Sequence, residues 1–586
     1  MNKRIKKIIN LRPLSSNRFK TIYITSLILI VGLLSRLINL QVFNASTLKN
    51  KAIAIQVKKT NVLKQRRPIV DRNNRLIAFD KPLYKLWAHP RYFNFPGDES
   101  KRIRTVKEVI SKISNELNIE EKLLLEKFKN NKDGVKLLDD LNEEDAENIR
   151  KLHISGIDLE IYSKRVYPQG NLFSNIIGFV NYDRQGSSGL ELYLENQIQF
   201  IKKSNLLKKG ADGTPLPDNS GPNDFINDDK KIVLTLDSRL QKVASNILSK
   251  QVKKWDAKKG LALVMNVNNG EILSLVSNPS YDPHKYWEYD HEVFKGWYLQ
   301  DLFEPGSTFK PINLALALEE KVIKKNGFVE DNGNIYVGGW SLSNWNKKGN
   351  GYISYPKVLQ VSSNVAMVRI MQNLKPITHW NWFKKLGLDK NLKTDLFEST
   401  PGQLKSKEIF INQPIEQAVA SFGQGFSISP IKLAQLHAVI ANGGYEVFPH
   451  VTFNFQVNSK NLKKNKIFSD EVSKIIVNWM ETVVEEGSGV GAKIDGYRIG
   501  GKTGTSQKAI NGIYSEKKAC SFVAILPVDN PKYLVFVLID EPNKPYAYGS
   551  TVAVPVAKEI IDSLIVLDKL PPSEKENSLI VNKPLN

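Results

Sequence analysis

The residues best suited to chemistry form the run Glu304-Pro-Gly-Ser-Thr-Phe-Lys310. Pro305–Gly306 interrupts the chain, and the apolar stretch through Leu314, Leu316 and Leu318 predicts a buried helix over 307–320. Pro311 falls in its first turn, where a missing N–H does little harm. Ser307 and Lys310 lie three positions apart, so their side chains share one helix face. A serine at a helix N-terminus has backbone N–H groups and the positive end of the dipole beside it, which suits an oxyanion. A lysine one turn on takes up the hydroxyl proton if burial or a neighbouring cation lowers its own proton affinity. Alone, the pair is unspecific. Ser-x-x-Lys begins at Ser46, Ser307, Ser354, Ser429 and Ser515, and a capping serine with a solvated lysine accounts for most of these. Two later segments single out Ser307. Ser362-Ser-Asn364 stands just before the apolar helical run Val365, Met367, Val368, Ile370, and Lys502-Thr503-Gly504-Thr505 stands between Gly500–Gly501 and a predicted hairpin. Gly496–Thr503 also matches the phosphate-loop pattern letter for letter, but that pattern requires a following helix, and strand-like segments follow instead.

These residues need elements to hold them. Leu261–Val267 and Glu271–Ser277 around a turn at Asn268–Gly270 predict one hairpin; Ala519–Leu526 and Tyr533–Asp540 around Asp529–Lys532 predict another. Helical patterns lie between, notably Pro430–Asn442, which argues for an antiparallel sheet covered by helices from about Lys231 onward. Upstream, Pro68–Val70 and Tyr84–Ala88 look like strands, roughly 103–153 reads as helical with a solvated charged face, and the Gly/Pro/Asn/Asp-rich segment 203–229 reads as an exposed loop.

The first twenty residues carry seven basic side chains, among them Lys3, Arg4, Arg18 and Lys20, and no acid. An apolar segment follows at 21–43, broken only by Arg36, whose head can snorkel to an interface. The arrangement predicts a membrane anchor with the amino terminus in the cytoplasm and the rest outside; a signal peptide cleaved near Ala45–Ser46 is the alternative. The chain has 586 residues, a net charge of +23 and one cysteine. The charge suits nucleic acid, an anionic membrane or an acidic polymer, but export and the lack of a recognition motif leave no nucleic-acid partner expected. One cysteine rules out a disulfide framework or a multi-cysteine metal site, and no His-Glu-x-x-His spacing occurs.

Ser-x-x-Lys, Ser-x-Asn and Lys-Thr-Gly in this order form the three-part signature of penicillin-recognising serine enzymes. From about residue 20 to 561 the chain resembles a class B penicillin-binding protein, most closely the division-type (septal) peptidoglycan D,D-transpeptidase. Asp71-Arg-Asn-Asn-Arg-Leu-Ile-Ala78, Arg165-Val-Tyr-Pro168 and Gly186-Ser-Ser-Gly-Leu-Glu191 resemble its pedestal motifs; Ser421-Phe-Gly-Gln-Gly425, Ala441-Asn-Gly-Gly444 and Gly549 with Pro555 resemble its later landmarks. Arg66-Arg67-Pro68 and Asn73-Asn74 depart from the family's Arg-Gly and Asn-Gly.

The resemblance implies a multidomain chain. It consists of a cytoplasmic basic tail (1–20), a transmembrane anchor (21–43), an elongated α+β pedestal, dimerisation-like domain (44–230), an α/β transpeptidase domain (231–565) and a C-terminal tail (566–586). It implies Ser307 as acyl-forming nucleophile, Lys310 as its base, Ser362 and Asn364 relaying a proton and holding the peptide, and Lys502 adding positive charge. Thr503, Gly504 and Thr505 would bind the substrate carboxylate strand, with the backbone N–H groups of Ser307 and Thr505 as oxyanion hole. No metal or cofactor is implied. Implied ligands and partners are peptidoglycan stem peptides, β-lactams as covalent inhibitors, a SEDS-family glycosyltransferase and other division-complex membrane proteins. The same motifs also suit an elongation-type transpeptidase or a non-catalytic penicillin-binding sensor.

Overall fold

A computed structural model describes residues 16–56, 64–93, 99–128, 134–201, 230–453, 455, 465–510 and 513–573. Most of the basic tail, the segment 203–229 and the end of the C-terminal tail lie outside the described residues. The chain divides into two compact units, one of residues 1–64 with 201–228 and one of residues 65–200 with 229–586. In the first, helix α1 (Ser16–Ile38) continues through a π-helical turn at Asn39–Phe43, and α2 (Ala45–Gln56) follows. Together Ser16–Phe43 are long and apolar enough to cross a membrane, among the described residues the one such stretch.

In the second unit the first strands are β1 (Ile69–Val70) and β2 (Leu76–Ala88). The expected helix over 103–153 is instead three helices with a strand among them: α3 (Glu99–Leu117), α4 (Glu121–Glu126), β3 (Val135–Leu141) and α5 (Glu143–Lys151). Val135 and Leu137 are buried at a spacing of two, and β3 pairs antiparallel with β2; the interleaved Lys and Asp had disguised a strand period as a helical surface. Strand β4 (Ile157–Val166) covers the other side of β2.

The pedestal motifs meet in one buried ion network. Glu191, fully buried, takes Arg66 on one carboxylate oxygen at 2.6 Å and Arg165 on the other at 2.7 Å. Asp80 receives Arg165 at 3.3 Å and also pairs with Arg184. Arg66, a departure from the family pattern by its neighbour, is thus an anchor. Asn74 adopts φ +62°, the left-handed conformation that asparagine tolerates best after glycine, which explains how Asn-Asn serves in place of Asn-Gly. Asp71 closes that turn, accepting from the N–H groups of Asn73 and Arg75 at 2.8 Å and reaching Ser238 N at 3.1 Å.

Strand β5 (Ile232–Val233) runs parallel to β1. Beyond it α6 (Ser238–Trp255) buries Leu240, Ala244, Leu248 and Val252, spaced by four, and is capped by Asp237 on Arg239 N. The main sheet contains β6 (Lys259–Asn266) and β7 (Ile272–Asn278), which form the first predicted hairpin. Its other strands are β8 (Gly500–Ile510), β9 (Ile513–Leu526) and β10 (Tyr533–Asp540), and the order is β8-β9-β10-β6-β7, antiparallel throughout. Alternate residues face opposite layers. Leu261, Leu263 and Met265 join the core that holds the helices at 310–319, 430–441 and 470–486, while Ala262 and Val264 join that of α6 and the C-terminal helix at 554–568. The expected antiparallel sheet is therefore sandwiched between helical layers. The first of these cores also takes in Ile69, Ile77, Tyr167 and Phe173, so apolar packing is continuous across residue 230.

Replacing Glu191 by alanine leaves two buried guanidinium groups without their shared carboxylate. Breaking such a buried pair costs about 3–5 kcal/mol, so Glu191→Ala is expected to lower the urea midpoint strongly; a midpoint unchanged from wild type would count against the network.

Candidate active site

The segment around Ser307 is built by close backbone packing. Gly306 has φ +55° and donates its N–H to Gly423 O at 2.9 Å. A side chain on Gly423, itself at φ +86°, would collide with the Gly306 carbonyl, which explains the glycine in Ser421-Phe-Gly-Gln-Gly425. Thr308 Oγ1 donates to Pro305 O at 2.6 Å and tightens a 3₁₀ turn over Gly306–Phe309, from which the helix Lys310–Glu319 continues with Pro311 at its start. Every residue of that helix from Lys310 to Leu318 is buried, so Ser307 sits on a short turn anchored into the core. Residues three apart eclipse in a 3₁₀ turn, which keeps Ser307 and Lys310 on one side as expected from their spacing.

Ser362 ends the helix Tyr355–Val361 in the left-handed conformation, φ +57°. Ser363 then caps the helix Asn364–Gln372, accepting from Ala366 N at 3.0 Å. This kink exposes both the carbonyl and the hydroxyl of Ser362 to Lys310, whose Nζ donates to Ser362 O at 2.7 Å and Asn364 Oδ1 at 2.8 Å and lies 3.3 Å from Ser362 Oγ. Lys502, on β8, donates to the same Ser362 Oγ at 3.0 Å and to Thr503 O at 3.0 Å. One hydroxyl therefore lies between two lysine nitrogens. Both lysines are fully buried. Burial drives Lys310 well below the usual lysine range, and the charge of Lys502 drives it further, against an opposing pull from Asp331. Burial lowers Lys502 to about 7.

A neutral Lys310 has two N–H donors and one lone pair. Its donors are taken by Ser362 O and Asn364 Oδ1, which leaves the lone pair as a proton acceptor with Ser362 Oγ 3.3 Å away. Among the described residues no hydrogen bond joins Lys310 to Ser307; the contact is with Ser362. The arrangement can move a proton between Lys310 and Ser362, in the cleft that Ser307 also lines.

Strand β8 is the free edge of the main sheet and runs beside the Ser307 turn. A Cβ on Gly504 would lie 2.5 Å from Ser521 Oγ and 2.9 Å from Thr308 Cγ2, and one on Gly306 would lie 3.2 Å from Ser506 Cβ. Glycine at 504 is thus what lets the strand approach Ser307. Gly549 packs its backbone on Gly504 in turn, and its N–H is accepted by Thr505 Oγ1 at 2.9 Å, which leaves the Thr505 hydroxyl proton for another acceptor. Thr503 Oγ1 is 2.6 Å from Ser488 Oγ. Ser307, Ser362, Asn364, Thr503 and Thr505 line one open cleft of about 820 Å³, with Trp345 and Tyr548 on its rim. All eight predicted site residues fall in or directly beneath this cleft. Ser488, Asn344 and Asp331, which also support it, carry no recognisable spacing in the sequence.

A serine on a helix-entry turn, a buried amine beside it and an edge strand flanking the cleft define a serine acyl-transfer enzyme. Residues 260–562 match the penicillin-binding protein transpeptidase domain and residues 62–221 the penicillin-binding protein dimerisation domain. The chain belongs to the class B penicillin-binding proteins, the peptidoglycan D,D-transpeptidases. It is similar to the peptidoglycan D,D-transpeptidase FtsI homolog of Mesostigma viride, 38% identical over 573 residues, 92% of this chain and 94% of that protein. It is also similar to the solved transpeptidase domain of Burkholderia pseudomallei penicillin-binding protein 3 (30% identity, TM-score 0.52, 58% of this chain, 98% of that one). A solved chain from Atopobium parvulum shares the fold at 23% identity, with TM-score 0.62 over 88% of this chain and 99% of that one.

A lysine held at about 7 in the fold and near 10.4 when unfolded binds fewer protons folded than unfolded between those values. Stability therefore rises with pH across that window and is flat from this source below it. Lys502→Met is expected to flatten the rise of the urea midpoint between pH 7 and pH 10 relative to wild type; equal slopes in the two proteins would refute the burial argument.

Proposed function

We propose that this protein crosslinks peptidoglycan stem peptides during septum synthesis at cell division, through an ester on Ser307. Ser307 Oγ attacks the carbonyl of the D-Ala-D-Ala bond as Lys310 takes its proton. The tetrahedral oxyanion is held by the N–H groups of Ser307 and Thr505, the first at the start of a helical turn and the second on the neighbouring edge strand. The C–N bond breaks, and the departing D-Ala nitrogen receives a proton through Ser362. Asn364 holds the stem peptide's amide, and Lys502 with Thr503 and Thr505 holds its terminal carboxylate, Gly504 leaving room for the peptide strand. A side-chain amine of a second stem then attacks the ester, the new amide forms, and its surplus proton returns by the same path to Ser307. Two acyl transfers through one serine need no further chemical group. The convergence of Lys310 and Lys502 on Ser362 beside Ser307 is the observation that carries this reading. β-Lactams, as cyclic acyl donors, would stop the cycle at the ester.

The septal assignment rests on the FtsI name of the relatives. The α1 segment and its basic leader support a single-pass protein of the cytoplasmic membrane, amino terminus inside and catalytic domain outside. The pedestal at 44–230 is the proposed docking region for a SEDS-family glycosyltransferase and other membrane proteins of the division complex.

Fluorescent penicillin is expected to label the wild type, and the label to disappear in Ser307→Ala and fall at least about 100-fold in Lys310→Ala with the unfolding midpoint retained; persistent labelling of Ser307→Ala would overturn the reading. Cells depleted of the protein are expected to filament, whereas rounding would assign it to elongation. Co-purification of the glycosyltransferase is expected to vanish when 44–230 are deleted.

A further inference from the structure

Two small two-stranded sheets outside the main sheet, one nested in the connection of the other, bring a carboxylate and an amide to the cleft. Phe328–Asp331 pairs antiparallel with Gly351–Ser354, and Asn334–Val337 with Trp340–Ser343. Asp331, fully buried at the end of the first strand, accepts from Asn344 Nδ2 at 2.8 and 3.0 Å, from Asn350 Nδ2 at 2.5 Å and from Gly333 N at 3.0 Å. These bonds force the Asn344 amide to point its oxygen the other way. There Asn344 Oδ1 accepts from Asn364 N at 2.8 Å, Val365 N at 3.2 Å and Ser363 Oγ at 3.2 Å. Asn364 Nδ2 donates to the adjacent Ser343 O at 3.1 Å. The strained turn that carries Ser362 and Asn364 is thus gripped by one amide whose orientation a buried carboxylate dictates.

We infer that Asp331, acting through Asn344, is a positioning residue for the Ser362–Asn364 turn and the counter-charge to Lys310. Burial pushes the Asp331 carboxyl up, but its hydrogen bonds outweigh that and hold it below the ordinary value, so it is ionised at neutral pH. Lys310 feels it directly, since Asp331 is the acid that opposes burial and Lys502 in keeping Lys310 neutral. Other charged groups around these elements are Glu330 on the same strand, paired with Arg369, Lys347 and Lys348 in the loop before 351, and Glu486 on the cleft wall. The assignment rests on Lys310 as base in the reaction proposed above.

The test measures the rate of acylation by fluorescent penicillin from pH 5 to 9 in the full-length protein, with mass spectrometry locating the ester. Removing the charge lowers the proton affinity of Lys310. Asp331→Asn is therefore expected to shift the acid limb of the profile to lower pH by roughly half a unit to one unit. It should also reduce the plateau about 10- to 100-fold, because two amides now face each other and the turn loosens. Combining Asp331→Asn with Asn344→Asp restores donor against acceptor and is expected to recover most of the plateau. An unshifted acid limb in Asp331→Asn, or a double variant no faster than the slower single one, overturns the proposal. If Asn344→Asp prevents folding, the limb position of the isosteric Asp331→Asn decides alone. Absence of an ester on Ser307 in the wild type would instead refute the acyl-transfer reading itself, so the two failures are distinct.

Discussion

Two lysines buried around a single hydroxyl are the constraint on which this catalytic unit turns. Neither Lys310 nor Lys502 reaches solvent, and an ammonium ion is expensive to bury. The fold meets this by disfavouring the proton on Lys310, against the pull of Asp331, and by giving Lys502 Nζ two acceptors, Ser362 Oγ and Thr503 O. A site organised in this way holds a neutral amine in place before substrate arrives, because the same burial that excludes water disfavours a proton on Lys310. The walls have to be rigid for that to work. The helix behind Ser307 is buried throughout and the sheet beside it is packed on both faces.

That rigidity is assembled from three stretches far apart in sequence, each brought in by a different device. Gly306 against Gly423 fixes the serine turn, Gly504 against Thr308 and Gly549 fixes the edge strand, and Asn344 fixes the Ser362–Asn364 kink. Backbone meets backbone or a short polar side chain in all three. Such contacts tolerate little displacement, whereas side-chain packing can relax around a change of size.

Much of the site was legible because its chemistry forces residue types at short spacing: Ser307 with Lys310, Ser362 with Asn364, and Lys502 with the two threonines. The paired hairpins were legible because their strands are near-continuous apolar runs and their turns are marked by Asn, Asp and Gly. Val135–Leu141 was not, since Lys136, Asp139 and Asp140 dilute a short alternation within a charged, helix-favouring neighbourhood. Asp331 and Asn344 were not legible for a different reason. Each is a polar residue at a strand end or loop, and only the strand pairing of two small sheets brings them to the kink. Arg66 and Glu191 lie so far apart along the chain that their partnership belongs to the tertiary fold alone.

The parallel pairing of Ile69–Val70 with Ile232–Val233 has a topological consequence. Stretches on either side of residue 230 are therefore joined by backbone rungs as well as by the shared apolar core, and Asp71, next to Val70, reaches Ser238 N a few residues beyond Val233. Displacing one stretch against the other would have to break these rungs and the Asp71–Ser238 bond together, a demand that a single covalent linker does not make.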